Sequence, residues 1–450
     1  MDSGIVNEKD DVRKRNIRNS PKKNGSSDID SIPYLKELGV EIVDETQAIQ
    51  FKDNNFKTVH RWTPYIQGFS ASFVQRMIDD YGSFYKEPKV LDPFAGSGTV
   101  IIQAKMNGLY AFGNEINPWM TDIANTKANA LKIDVEKLEN FIKNIELDRM
   151  ASCPTFLKNE KHFEEDVLNE LRKLKYYINN NKITNGDTHT QNAIKLAFSS
   201  ILIPLSNLKR SPCLGYVKNK SISVSSVKEV FISKVNEIIE DVQKLRLEIR
   251  DFKDDKSMIE LSSSATHNYN QKFDLVITSP PYMNGMDYAI NYKIEMSWLD
   301  YVSDHKELKE IKEQMVVCDN VSKKFVKNFD STENKYTNEW IENIKKNINS
   351  NIERRGSYRR MDMANIVHKY FDDMYQIMKN VVPVINEKGR FILVVGDSLI
   401  VDEYVPTDLL LARIGVELGM KIESIVKARN RRSGQIRSYV LRETIITLVK

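Results

Sequence analysis

Two short runs of residues combine side chains and backbone constraints suited to chemistry. The first is Asp92, Pro93, Phe94, Ala95, Gly96, Ser97, Gly98, Thr99; the second is Thr278, Ser279, Pro280, Pro281, Tyr282. Each follows an apolar stretch with strand character, residues 89–91 and 273–277. In the first run, Gly96 and Gly98 let the backbone approach a ligand and take angles closed to other residues. No Gly-Lys-Ser/Thr follows, which excludes a phosphate-binding P-loop. Ile101 stands at the third glycine position of the dinucleotide pattern, so that pattern is incomplete. Glu115, followed by Ile116 and Asn117, ends the next predicted strand, where an acidic side chain accepts hydrogen bonds from ribose hydroxyls. A bare Gly-x-Gly is usually a structural turn. The Asp-Pro-Phe lead-in and the register of Glu115 favour a cofactor turn here.

In the second run each proline fixes its own φ and restricts the residue before it, so the segment is stiff and its carbonyls are held in place. That arrangement suits a weakly nucleophilic amine conjugated into a planar base. The Ser279 hydroxyl and the Pro280 carbonyl are placed to accept its two hydrogens, favouring the pyramidal nitrogen that attacks a methyl group. Tyr282 offers a face for the base to stack on, once the base is flipped out of a duplex. A Pro-Pro turn closing a strand is common as a purely structural feature. Its place in the same sheet as the glycine turn favours the functional reading.

The elements that must hold these runs follow from the hydrophobic patterning. Residues 72–79 have helical spacing, then strand, glycine turn and helix (100–106) succeed one another, and 110–116 reads as a second strand. This is the start of a doubly wound parallel sheet. Residues 121–251 show few strand signals and read as a helical insertion, with an apolar stretch at 193–208 and a helix over 227–249. Sheet signals return at 257–261 and 273–277. A polar, mostly helical segment runs to 370, followed by helix 374–385, strand 389–396, helix 408–418 and strands 422–427 and 443–449. The expected division is a basic disordered tail (1–30), the sheet's first part with the cofactor turn (31–120), a helical insertion for target recognition (121–255), the clamp segment (256–287), a second insertion for DNA contact (288–370) and the C-terminal sheet (371–450).

At 450 residues, with 41% hydrophobic and 28% charged residues, the chain is long enough for a large domain with insertions. A net charge of +4 is too mild to establish nucleic-acid binding, so local clusters must carry that case. Three widely spaced cysteines, without CxxC spacing, point away from disulfides and zinc and toward a reducing cytoplasm. The six histidines have no metal-ligand spacing, and methyl transfer needs no metal. No signal peptide or membrane-spanning run is expected.

At these residues the chain resembles the S-adenosyl-L-methionine-dependent DNA amino-methyltransferases of restriction-modification systems. Residues 92–99 match that family's D-P-F-x-G-x-G-T motif, 115–118 its following acidic strand end, and 278–282 its catalytic S-P-P-Y. The segment 60–69, with Tyr65, is similar to a family motif that closes over the methionine part of the cofactor. The resemblance covers the sheet and not the insertions. It implies a Rossmann-like methyltransferase sheet, double-stranded DNA as substrate and a cognate restriction endonuclease as partner. Serine at position 279 is commoner in members acting on the N4 amine of cytosine, whereas those acting on adenine N6 more often carry Asp or Asn. Where the family usually offers an acidic residue to the adenine ring, this chain has Ser262, Ser263 and Ser264, so the resemblance implies Ser263 or Ser264 as a weaker substitute partner.

For phosphate contact the candidates are Lys323-Lys324, then Arg354, Arg355, Arg359 and Arg360 around Tyr358, and the 429–437 run with Arg431 and Arg432. Ser211-Pro-Cys213 is similar to the Pro-Cys nucleophile of cytosine-C5 enzymes but lacks a strand before it, so an ordinary cysteine is the better reading. The alternatives to a cytosine-N4 enzyme are an adenine-N6 enzyme, an RNA guanine-N2 methyltransferase, which usually has an RNA-binding domain before the turn, and a non-catalytic DNA-binding subunit.

Overall fold

The computed structural model describes residues 25–450 except 47–48, 50, 66–67, 212, 219, 221–226, 250–256, 284, 319–322, 331–332, 357, 359, 434–435 and 437. Seven strands build the body of the sheet: β1 (Val90–Asp92), β2 (Ala111–Glu115), β3 (Met258–Leu261), β4 (Phe273–Thr278), β5 (Ile385–Gly396), β6 (Lys421–Arg432) and β7 (Tyr439–Val449). Their spatial order is 3-2-1-4-5-7-6. Strands β1 to β5 run parallel, and β7 lies antiparallel between β5 and β6. The chain therefore winds outward from β1 in one direction, returns, and winds outward from β4 in the other. The carboxyl ends of β1 and β4 lie side by side at this reversal, where doubly wound sheets hold their ligands.

The residues of β1 and β4 are buried along the whole of each strand because both faces are covered. Leu275 and Ile277 of β4 pack into one core and Val276 into the other, as the alternation of strand side chains requires. The first core holds helices α1 (Ala71–Gly82), α2 (Thr99–Met106) and α3 (Pro118–Ala128) with the first insertion. That insertion contains α4 (Val135–Lys143), α5 (Glu165–Asn180), α6 (Thr188–Leu202) and α7 (Val227–Glu248). The second core packs α8 (Glu339–Arg355), α9 (Met363–Val381) and α10 (Thr407–Glu417) on the opposite face.

The structure corrects several boundaries. The expected tail ends earlier than residue 30: Gly25–Ser26 pairs with Tyr439–Val440 of β7, and a helix follows at Ser27–Asp30. The polar composition concealed this because the segment is held by polar groups. Fully buried Arg442 donates to the Ser27 carbonyl and to the Ser31 hydroxyl. The first insertion is not purely helical; it carries a hairpin, Leu208–Arg210 with Leu214–Tyr216. Helix α9 begins at Met363 rather than 374, so the second insertion gives way to the C-terminal body before residue 370. Strand β5 starts at Ile385, inside the helix expected there, since Pro383 cannot donate to a helix and closes α9 with a short 3₁₀ turn. No helix among the described residues is long and apolar enough to cross a membrane.

Candidate active site

The glycine turn leaves β1 and enters α2 in the left-handed conformation that its two glycines permit. Gly96 has φ +50° and Gly98, at the N-cap of α2, φ +83°. Space is as restrictive as dihedral angle. A Cβ on Gly96 would lie 2.6 Å from the Tyr65 hydroxyl, and one on Gly98 2.8 Å from Ala124 Cβ in α3.

Glu115, at the end of β2, organises this turn. One carboxylate oxygen accepts from the Gly96 amide at 2.9 Å, and the other from the amides of Ile116 (2.9 Å) and Asn117 (2.8 Å). Burial pushes its pKa up, and the three amides pull against that shift. Asn117 caps α3 by accepting from the Met120 amide at 3.2 Å. Its side chain is 1% exposed, and its Nδ2 has no hydrogen-bond partner among the described residues. Such a buried orphan donor is costly unless a ligand acceptor meets it.

A cavity of about 210 Å³ opens here. Its walls include Tyr65, Pro93, Phe94, Glu115, Ile116 and Asn117 on one side and Ser262, Ser263 and Ser264 on another. Asp92, Ala95, Ser97 and Thr99 are buried beneath or beside the turn. The three serines occupy the mouth after β3. Ser262 accepts from Asn114 Nδ2 at 2.9 Å and Ser264 donates to the Pro93 carbonyl, while Ser263 begins a turn whose amides at 266 and 267 bond back to its carbonyl. Tyr65 stacks on Tyr288 (centroids 6.1 Å) and Tyr292 (6.2 Å), forming an aromatic wall.

The clamp begins at the end of β4 and is joined directly to the glycine turn. Thr278 Oγ1 donates to Asp92 Oδ1 at 2.6 Å, and the same oxygen accepts from the Phe94 amide at 3.0 Å. On the other side, Tyr370 of α9 donates to the Pro281 carbonyl at 2.9 Å. Asp92 is 1% exposed, and burial, only partly offset by these two bonds, raises its carboxyl from 3.8 to about 7. A raised carboxyl pKa means that folding favours the protonated form. That contribution to stability is complete below about pH 4 and is lost as pH rises through 7. Asp92→Asn keeps an acceptor for both donors and cannot ionise. Its melting temperature is therefore expected to gain on that of the unsubstituted protein between pH 4 and 7; a pH-independent difference in thermal melts would refute this.

Ser279 and Pro281 also line the 210 Å³ cavity. Behind the clamp lies a second cavity of about 80 Å³, bounded by Gly68, Phe69, Ser279, Tyr282, Arg429, Arg431 and Glu443. Ser279 therefore belongs to both walls. The Tyr282 hydroxyl donates to Glu443, which also receives Arg429 Nε, and the Arg431 guanidinium lies over the Tyr282 ring, 5.1 Å from its centroid. Burial, first, and the Glu443 carboxylate push the Tyr282 hydroxyl pKa up, so it stays a donor.

The basic candidates separate into different environments. Arg354 is exposed and donates to Asn351 at 3.0 Å, and Arg432 is exposed. Arg355 pairs with Asp402, and Arg360, 8% exposed, with Asp362 at 2.6 Å. Arg431 faces inward over Tyr282. Arg359, the side chains of Lys323 and Lys324, and residues 1–24 of the expected basic tail lie outside the described residues. Cys213 is exposed in the loop of the hairpin, away from any central strand.

Sequence reasoning missed several participants. Glu313–Val316 and Phe325, from the second insertion, and Lys369, Asp373 and Gln376 of α9 line the first cavity. Glu443 joins the second cavity from β7, where it is the one acidic residue of the strand.

No family model matches the chain. It is 25% identical to the type II methyltransferase M.BsoBI of Geobacillus stearothermophilus, over 89% of this chain and 88% of that protein. It is 22% identical to the type II methyltransferase M.AvaI of a Nostoc species, over 84% and 83%. A third relative, the type II methyltransferase M.MvaI of Kocuria varians, is 23% identical over 84% and 86%.

Proposed function

We infer that this chain, which belongs to the family of type II DNA methyltransferases, transfers a methyl group from S-adenosyl-L-methionine to the N4 amine of a cytosine flipped out of double-stranded DNA. The first cavity fits the cofactor on three grounds: a turn whose glycines leave no room for a Cβ, a carboxylate at the strand end, and the unpartnered donor of Asn117. Glu115 is assigned to the ribose hydroxyls, Ser263 to the adenine ring and the Tyr65 wall to the methionine part. S-adenosyl-L-methionine supplies, when bound, a methyl carbon made electrophilic by its sulfonium.

The observation that carries the reading is Ser279, shared between the two cavities. A base in the second cavity has its exocyclic amine at the wall common to both. There the Ser279 hydroxyl and the Pro280 carbonyl hold the amine hydrogens and turn the nitrogen lone pair toward the first cavity. Thr278 and Tyr370 keep that segment still, so the chain contributes chiefly position, worth orders of magnitude in rate. Serine at 279 supports cytosine over adenine. The exposed Arg354 and Arg432 are the better phosphate contacts among the clusters considered.

The test is direct. DNA incubated with the protein and labelled cofactor is digested and its nucleosides are identified by mass spectrometry. N4-methylcytosine is expected. N6-methyladenine alone would replace the cytosine reading by the adenine one, and unmodified DNA with methylated tRNA would favour the guanine-N2 alternative.

A further inference from the structure

The second cavity holds more hydrogen-bonding capacity than an amine clamp requires. Its acid, Glu443, is already engaged by the Tyr282 hydroxyl and by Arg429 Nε. Arg431 is different. Its guanidinium is sandwiched between the Tyr282 ring and Gly396 at the end of β5, where a Cβ would fall 2.7 Å from Cζ. One terminal nitrogen is anchored on the Asp397 carbonyl, and the buried Nε has no hydrogen-bond partner among the described residues. A guanidinium carries five N–H donors in a planar fork. This one is braced at one end, with donors to spare, in the wall of the small cavity next to Ser279.

We propose that Arg431 selects the target base by donating to the N3 and O2 acceptors of the flipped cytosine; this rests on the cytosine-N4 reading. Once Ser279 and Pro280 hold the amine hydrogens, the rest of the cytosine edge consists of two adjacent acceptors, N3 and O2. That pattern matches a guanidinium fork. Adenine presents only N1 beside its amine, and then a C–H that leaves a donor unmet. Thymine presents an N–H at position 3, set against another donor. Rejecting a base that leaves a buried polar group unpaired is how a small site discriminates strongly. Gly396 is part of the device, since any side chain there would displace the guanidinium. Arg431 is therefore a base reader, where a basic run in the sequence reads as a phosphate contact.

The experiment uses duplexes carrying the methylated site, located by sequencing modified DNA, with the target cytosine either intact or replaced by 3-deazacytosine, whose N3 is a C–H. The unsubstituted protein is expected to lose about 10- to 100-fold in kcat/KM on the analogue. Arg431→Ala is expected to be slowed by a similar factor on cytosine and to lose less than about threefold more on the analogue. Arg431→Lys, which keeps the charge without the fork, should behave like the alanine variant and serves in its place if that variant does not fold. Calorimetric titration with S-adenosyl-L-methionine reports folding, since Arg431 lies outside the cofactor cavity. A full analogue penalty retained in both variants overturns the proposal. If the product on the intact duplex is N4-methylcytosine, that failure belongs to Arg431 alone; if it is N6-methyladenine, the underlying reading has failed.

Discussion

Glu115→Ala is expected to weaken S-adenosyl-L-methionine binding by about 10²- to 10³-fold, the loss of two hydrogen bonds to a charged acceptor at roughly 1.5–3 kcal/mol each, less whatever the remaining groups recover. The carboxylate has two roles that point the same way. It is assigned to the ribose hydroxyls, and it already gathers the amides of Gly96, Ile116 and Asn117, tying the glycine turn to the start of α3. Removing it leaves three amide donors to find water and loosens a turn whose two glycines sit at positive φ. Glu115→Gln keeps one acceptor oxygen and should fall between the two. Calorimetric titration measures the affinities. An alanine variant binding within threefold of the unsubstituted protein would remove Glu115 from the cofactor site.

The second large effect concerns the wall between the cavities. Ser279→Ala removes one of two acceptors for the amine hydrogens while leaving Pro280 and the bonds of Thr278 and Tyr370 in place. An interaction made chiefly as the nitrogen becomes pyramidal lowers kcat rather than affinity. By analogy with removal of a single preorganised group at a reacting atom, kcat should fall about 100-fold, with KM for DNA and the cofactor dissociation constant little changed. Single-turnover methyl transfer with saturating DNA and cofactor isolates that step. If Ser279→Ala reacts at the normal rate, the amine is held elsewhere. If it raises KM with kcat intact, Ser279 binds the base without assisting the reaction.

Legibility followed the range of the interaction. The strand-turn-helix units around 92–99 and 278–282 were readable because their signals are local: apolar runs, glycines that need positive φ, and prolines that stiffen. The parallel pairing of β1 and β2 was accessible because a connection containing a helix joins strands that run in the same direction. What escaped the reading was polar and distant. Residues 25–30 read as tail from their composition, yet Ser27 among them, and Ser31 just after, are held by Arg442 more than 400 positions later. Arg360 and Arg431 read as exposed basic residues, but one is paired with Asp362 and the other lies over Tyr282. A charge in a sequence carries no record of whether a partner or an aromatic face will cover it.

The sequence by itself therefore determined the two chemical runs, the winding of the sheet around them and the acidic residue at the end of β2, because each depends on neighbours within a few positions. Tertiary structure alone decided how the runs meet: Thr278 on Asp92, Ser279 between two cavities, and Glu443 with two arginines behind Tyr282. The bonds of Thr278 to Asp92 and of Tyr282 to Glu443 join residues 186 and 161 positions apart, brought together only when the sheet closes over two cores. Local propensity has no term for such meetings; burial and hydrogen-bond satisfaction across the folded chain supply it.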